Sequence, residues 1–108
     1  NNQIQRWPAP DVITPTVLLV DETRQVWQQG EQVVLTPTEY NLLTYMTRHP
    51  RQVLTYRQLI DRVWEGRGPV TRHGLFVHVS RLRKKIEANP DDPHFIGTRW
   101  GVGYIFLF

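Results

Sequence analysis

Short runs of β-branched and other apolar residues fill residues 16–35. They are TVLLV (16–20), RQVWQQ (24–29) and EQVVL (31–35), and they are separated by polar residues and by Gly30. Runs of this length with turn residues between them are typical of antiparallel strands joined by tight turns. The pattern therefore predicts a small sheet at the start of a folded domain.

The segment before this sheet has a different composition. NNQIQRWPAPDVITP contains three prolines and no usable hydrophobic period. Such a segment is typical of an interdomain linker, with a strand at the edge of the sheet as the alternative. We therefore divide the chain into a linker end, residues 1–15, and one domain, residues 16–108.

Two capping boxes predict two helices in the middle of the chain. In a capping box, a Thr side chain accepts a hydrogen bond from the backbone three residues later, and the side chain there returns one. The sequence TPTE (36–39) has this form with proline at the first helical position, and TYRQ (55–58) has it again. The first helix is predicted to stop at HP (49–50) and the second at the loop EGRGPV (65–70). Their apolar faces are Leu42, Leu43, Tyr45 and Met46 in the first helix, and Leu59, Ile60, Val63 and Trp64 in the second.

A third helix is predicted over residues 72–88, with Thr71 as its N-cap and Asn89-Pro90 after its end. At about 100° per residue, four aliphatic side chains fall within an arc of roughly 60°. Burying each contributes about 1.5–3 kcal/mol, which is sufficient to dock the helix on the first two. These side chains are Leu75, Val79, Leu82 and Ile86.

The opposite side of this helix is expected to face outward. Between Gly66 and Ile86 there are six Lys and Arg residues and no acid, so ion pairs one turn apart are not available within the segment. A solvated face usually mixes charge signs, and solvation gives Val77 no role there. A small apolar side chain among cations does suit contact with a thymine methyl group. The outward residues are His73, Val77, Ser80, Arg81 and Lys84, flanked by His78 and Lys85 on one edge and by Phe76 and Arg83 on the other.

The last part of the chain predicts a β-hairpin. HFIGTRW and YIFLF are strand-like runs on either side of the glycine-rich GVG (101–103). A helix that follows another helix and precedes a hairpin has the layout of a winged helix-turn-helix, in which one helix enters the major groove and the hairpin reaches the adjacent groove or backbone.

Composition removes several classes of function. A chain of 108 residues suggests one domain, and the absence of Cys excludes disulfides, Cys-based zinc sites and a thiol nucleophile. No apolar run approaches the roughly 20 residues needed to cross a bilayer. The apolar stripe of the basic helix is needed for the core, so no membrane partner is expected either. His73 and His78 diverge by about 140° on a helix, and no metal or other cofactor is predicted. The single serine, Ser80, lies among cations without an acid–base partner, and we expect no enzymatic activity.

Three stretches of the chain form a specific combination. They are LTPTEYNLLTYMTRHPRQVLTYRQLIDRVW, VHVSRLRKKIE and TRWGVGYIF. Together they resemble the effector domain of the OmpR/PhoB class of bacterial two-component response regulators, over residues 16–106 nearly without gaps. The resemblance implies an α+β winged helix-turn-helix with an N-terminal antiparallel sheet of four strands, three helices and a C-terminal hairpin (95–106) as the wing.

The same resemblance implies a function and partners. The function is sequence-specific binding of double-stranded DNA for transcriptional regulation, in the cytoplasm, as the output domain of a phosphorelay whose receiver domain lies upstream. The family binds tandem half-sites, usually head to tail, and a chain that is monomeric alone and dimeric on DNA is expected. Loop 65–70 falls where the family can touch RNA polymerase.

Positions matched to the family receive roles by resemblance. Val77 and Arg81 fall where the family contacts bases, and Thr98 falls where its wing contacts the DNA backbone. Four further residues fall where the family contacts phosphates or neighbouring bases. These four are His73, His78, Ser80 and Arg83, and Arg72, Arg99 and Trp100 complete the predicted interface.

Two positions depart from the family pattern. The family commonly has an acid at the position of Phe76 and an Arg at the position of Trp100, whereas here the cation stands one residue earlier, at Arg99. Side chains alternate along a strand, so Arg99 is expected to point to the opposite face. For Trp100, stacking on a sugar and simple packing both stay open. For Phe76, a contact with a partner and packing in a local cluster both stay open.

Other interpretations compete with DNA contact. The whole domain is alternatively a winged-helix module whose basic helix binds an acidic protein. Arg83 is alternatively an ion-pair partner of Glu87 one turn later. Lys84 points outward but lies late in the helix, where solvation is expected.

Overall fold

The computed structural model describes residues 18–20, 25–28 and 30–108. Three strands, β1 (Leu18–Val20), β2 (Val26–Gln28) and β3 (Glu31–Val33), form an antiparallel sheet in that order. This is the predicted meander, with shorter strands than the apolar runs. The resemblance implies a fourth strand in this sheet. The predicted linker end, residues 1–15, and the edge strand considered there lie outside the described residues.

Three helices follow, as predicted. They are α1 (Pro37–Thr47), α2 (Tyr56–Trp64) and α3 (Arg72–Ile86). Both capping boxes are formed: the Thr36 and Thr55 hydroxyls accept from backbone N–H groups at 3.2 and 3.1 Å, and the returning bonds are 2.9 Å each. Thr71 caps α3 by accepting from the N–H of Gly74 at 3.0 Å.

A second antiparallel sheet has the order β4-β6-β5. The predicted hairpin supplies β5 (Ile96–Arg99) and β6 (Gly103–Phe106), while β4 (Val53–Thr55) was not predicted. Gly103 permits the close approach of β4 and β6, because a Cβ at this residue would lie 1.8 Å from the carbonyl oxygen of Leu54. The hairpin is thereby held to the chain segment that enters α2.

The end of α3 differs from the prediction. The helix ends at Ile86 rather than at residue 88, because Glu87 adopts an extended conformation with φ −86° and ψ 140°. Its buried carboxylate accepts hydrogen bonds of 2.8 to 3.1 Å from the backbone N–H groups of His94, Phe95 and Ile96. Glu87 therefore turns the chain out of the helix and fixes the start of the hairpin.

The core lies where α3 meets α1, α2 and the hairpin. The predicted aliphatic stripe of α3 is confirmed, because all four side chains are fully buried. An ion pair at 2.6 Å between Lys85 of α3 and the buried Glu39 of α1 joins the same two helices. Burial alone would raise the pKa of the Glu39 carboxyl, but hydrogen bonds from Lys85 and Thr36 hold it below its ordinary value of 4.5. These contacts fix α3 on one side and leave the other side outward.

Candidate nucleic-acid interface

The outward side of α3 is available for contact over most of its length. Arg72, His73, Arg81 and Lys84 are exposed, and Val77 and Ser80 are half-buried. Neither Arg81 nor Lys84 has a hydrogen-bond or ion-pair partner within the described part of the chain. The face therefore presents unpaired cations beside a small apolar side chain, and its predicted base and phosphate contacts stay predictions.

His78 lies on the side of α3 that faces α2. Its Nδ1 is 2.9 Å from the carbonyl oxygen of Gly74, which makes this nitrogen the protonated donor of a bond within the helix. The ring meets the buried Trp64 edge to face, with 5.1 Å between centroids. His78 thus packs α3 against α2, and a phosphate contact through its remaining nitrogen stays a prediction.

Arg83 joins α3 to the hairpin. Its guanidinium donates to the carbonyl oxygen of Ile96 at 3.2 and 2.9 Å and to the hydroxyl of Thr98 at 2.7 Å, and it lies 5.5 Å from the centre of the Tyr104 ring. Burial lowers the pKa of Arg83, while the neighbouring Tyr104 and Glu87 act in the opposite direction. Arg83 therefore holds the helix and the wing at one angle. The considered pair with Glu87 is replaced by these bonds, since the Glu87 oxygens accept from the backbone.

The tip of the wing is apolar and exposed. Arg99 ends β5, and the turn that follows contains Trp100, which is 86% exposed, and Val102, which is 46% exposed. The turn is closed by a 2.9 Å bond from the N–H of Val102 to the carbonyl oxygen of Arg99. The simple packing considered for Trp100 is thus not what this side chain does.

A groove of about 630 Å³ separates α3 from the wing. It brings together predicted site residues from both elements, with Arg72, His73 and Arg83 on the helix side and Thr98 and Trp100 on the hairpin side. Val77, Ser80 and Arg81 lie elsewhere on the outward face, and His78 lies toward α2.

Two tyrosines in this groove were not predicted as site residues. Tyr56 opens α2, and its ring lies 4.7 Å from the guanidinium carbon of Arg72 and 6.0 Å from the Tyr104 ring. Tyr104 belongs to the buried core and also lines the floor of the groove. Burial raises its pKa, against the effect of Arg83. No spacing in the sequence reveals either contact, because the partners come from three separate elements.

Loop 65–70 between α2 and α3 is largely exposed. The Arg67 guanidinium donates hydrogen bonds to the carbonyl oxygens of Trp64 and Val63 and so satisfies the last turn of α2. Over the described residues, no helix is both long and apolar enough to cross a membrane, and no cluster of three or more possible metal ligands occurs.

Comparison with known proteins decides the family. The model of the family described as "Transcriptional regulatory protein, C terminal" matches residues 30–106. The chain belongs to this family. The prediction of an OmpR/PhoB-type effector domain with a winged-helix fold is thereby confirmed.

Individual relatives agree with this regulator-domain assignment. The chain is 46% identical over 80 residues to the DNA-binding response regulator MtrA of Mycolicibacterium smegmatis, which covers 74% of this chain and 35% of that protein. It superposes on the response regulator DrrB of Thermotoga maritima, an OmpR/PhoB homologue, with a TM-score of 0.77 and 33% identity, over 84% of this chain and 42% of DrrB. It also superposes on the DNA-binding domain of RstA from Klebsiella pneumoniae in complex with the RstA box, with a TM-score of 0.70 and 29% identity, over 87% of this chain and 98% of that domain. The chain spans a little over a third of the length of the curated relatives.

Proposed function

We propose that this regulator domain binds double-stranded DNA in a sequence-specific manner and controls transcription as the output domain of a two-component response regulator. The observation that supports this most strongly is α3 itself. Its aliphatic side is fully buried. Its outward side carries Arg81 and Lys84 without partners in the described residues, and the exposed tip of the hairpin lines the same groove as the start of the helix. MtrA is named a DNA-binding response regulator, and the RstA domain was solved with its DNA box.

In the proposed complex, α3 occupies the major groove and the wing reaches the adjacent minor groove or backbone. Phosphate contacts supply affinity that depends on salt, and Arg81 with Val77 supplies discrimination between bases. Arg72, His73, Ser80, Thr98 and Arg99 are proposed as further contacts. We assign no enzymatic activity to the domain.

The lengths of the relatives support a proposal for the domain arrangement and the partners. Because the chain spans a little over a third of them, we propose a receiver domain upstream, with residues 1–15 as the end of the connection. Two chains are proposed to bind tandem half-sites head to tail, and the exposed loop 65–70 is the proposed contact with RNA polymerase. The proposed location is the cytoplasm.

Selection of bound duplexes from a random pool tests the proposal. The enriched duplex is then titrated with the chain beside a random duplex at about 50 and 200 mM salt. We expect at least tenfold tighter binding of the enriched duplex, because one correctly read base pair is worth about 1–3 kcal/mol. We also expect a steep loss of affinity with salt, since each neutralised phosphate contributes about −0.9 to the slope of log K against log salt. Failure to enrich any duplex, or a flat salt response, contradicts the proposal and favours an acidic protein partner.

A further inference from the structure

Two exposed aromatic side chains face the groove between α3 and the wing. Phe76 on α3 is 47% exposed and Trp100 at the wing tip is 86% exposed, and both line the groove of about 630 Å³. Neither belongs to the buried core cluster. Phe76 stacks on His73, with 6.3 Å between ring centroids and 28° between the planes. Large apolar groups that converge on one exposed groove are typical of a binding surface.

The charged residue next to Trp100 does not share this groove. Arg99 precedes Trp100 at the end of β5 and does not line the groove. The wing therefore faces the groove with an aromatic side chain at its tip.

The geometry of DNA identifies an occupant for this groove. When a helix lies in the major groove and a hairpin reaches the adjacent minor groove, the sugar–phosphate strand that separates the two grooves must pass between helix and hairpin. Such a strand alternates anionic phosphates with apolar faces of deoxyribose. The groove offers matching groups: Arg72 and His73 on the helix side, and the aromatic faces of Phe76 and Trp100. Among the described residues that line the groove there is one carboxylate, Asp91, in the loop before the hairpin.

We propose that Phe76 and Trp100 form two apolar walls that hold the deoxyribose rings of the DNA strand running between α3 and the wing. This inference rests on the proposed DNA binding and goes beyond it. The contact is apolar and independent of sequence, so it adds affinity that salt does not screen. The tip of the wing therefore holds DNA through packing at Trp100.

Salt titrations of matched variants test the proposal on the enriched duplex. Trp100→Ala and Phe76→Ala should each weaken binding about five- to tenfold. This is at the low end of the loss when an aromatic side chain that stacks on a base is removed, because a sugar ring offers less surface than a base. The plot of log K against log salt should shift downward with its slope unchanged, because no phosphate contact is lost. Val34→Ala is the control, since Val34 is equally apolar and 77% exposed but does not line this groove. It should leave the plot unchanged.

A variant with an added charge should change the salt slope instead of only the affinity. Trp100→Arg should steepen the slope by up to about 0.9, because it places a cation beside the strand. Wild-type affinity of either alanine variant, a flatter slope in either, or an unchanged slope for Trp100→Arg would each overturn the inference. Loss of self-association on sedimentation with no change in DNA affinity would also overturn it, in favour of a second copy of the chain. Absence of duplex binding by the wild type refutes the proposed function instead, so the two failures are distinguishable.

Discussion

The structure gives one cation, Arg83, a role inside the fold that the sequence does not show, while its predicted DNA contact stays a prediction. Arg83 falls at a position where the family contacts phosphates or neighbouring bases, yet its guanidinium bonds Ile96 and Thr98 and lies over Tyr104. The partners are 13 and 15 residues away, in an element whose position relative to α3 no local pattern gives. Helical periodicity predicts the direction of a side chain but not what the rest of the fold places there.

The Arg83 bonds predict an effect on stability. Arg83→Met should lower the free energy of unfolding by about 1–3 kcal/mol, because hydrogen bonds from a charged donor are lost inside the helix–wing junction. Arg81→Met is the matched control and should change it by less than about 0.5 kcal/mol, since the exposed Arg81 has no partner in the described residues. Urea denaturation of both variants measures the difference. Equal effects would mean that Arg83 does not hold the junction.

Short elements with strong local signals were predictable. Both capping boxes and the buried stripe of α3 follow from residue types at fixed spacing, and the structure contains all of them. Strand β4 was missed because its three residues show no period and its last residue, Thr55, is also the N-cap of α2. The early end of α3 was missed because the partners of Glu87 lie 7 to 9 residues later, in the loop and at the first residue of β5.

Close packing of β4 and β6 makes Gly103 the most constrained glycine of the hairpin. Gly103→Ala should lower the free energy of unfolding by about 3 kcal/mol, because the added Cβ meets the backbone of Leu54 and must separate the strands. Gly101→Ala is the control, because its added Cβ meets nothing within 4 Å. Only the φ of 79° disfavours alanine there, and it should lower the free energy of unfolding by about 1–2 kcal/mol. Thermal or chemical denaturation compares them. If Gly101→Ala lowered the stability more than Gly103→Ala, the close approach of β4 and β6 at Gly103 would be contradicted.

Across the whole molecule, the charges of α3 are divided between the fold and the outside. Lys85 pairs with Glu39 and Arg83 bonds the hairpin, whereas Arg81 and Lys84 have no partner in the described residues. Sequence alone showed an acid-free cationic segment but not this division, because Glu39 is 46 residues from Lys85. The fold class was predictable from patterns that repeat locally. The groove between helix and wing was not, since it is made by residues from several elements.

The Glu39–Lys85 pair predicts a dependence of stability on pH. The pKa of Glu39 is lowered in the folded state, so the stabilisation is present above about pH 4.5 and is lost as the pH falls through the folded-state value. Glu39→Gln should remove this part of the acid sensitivity and lower stability near neutral pH by about 1–2 kcal/mol. Urea denaturation of both proteins from about pH 3 to pH 7 measures it. Parallel pH profiles for the two proteins would contradict the assignment.

The most direct measurement asks whether the protein's preference for one DNA sequence depends on Arg81. The affinities of the wild type, Arg81→Ala and Lys84→Ala are measured at one salt concentration for the enriched duplex and for a scrambled duplex of equal length. We predict that Arg81→Ala lowers the preference for the enriched duplex by about ten- to a hundredfold, as loss of a base contact requires, while Lys84→Ala leaves that preference unchanged. Equal losses on both duplexes for Arg81→Ala, or no loss on either, would contradict the claim that the outward side of α3 reads DNA sequence.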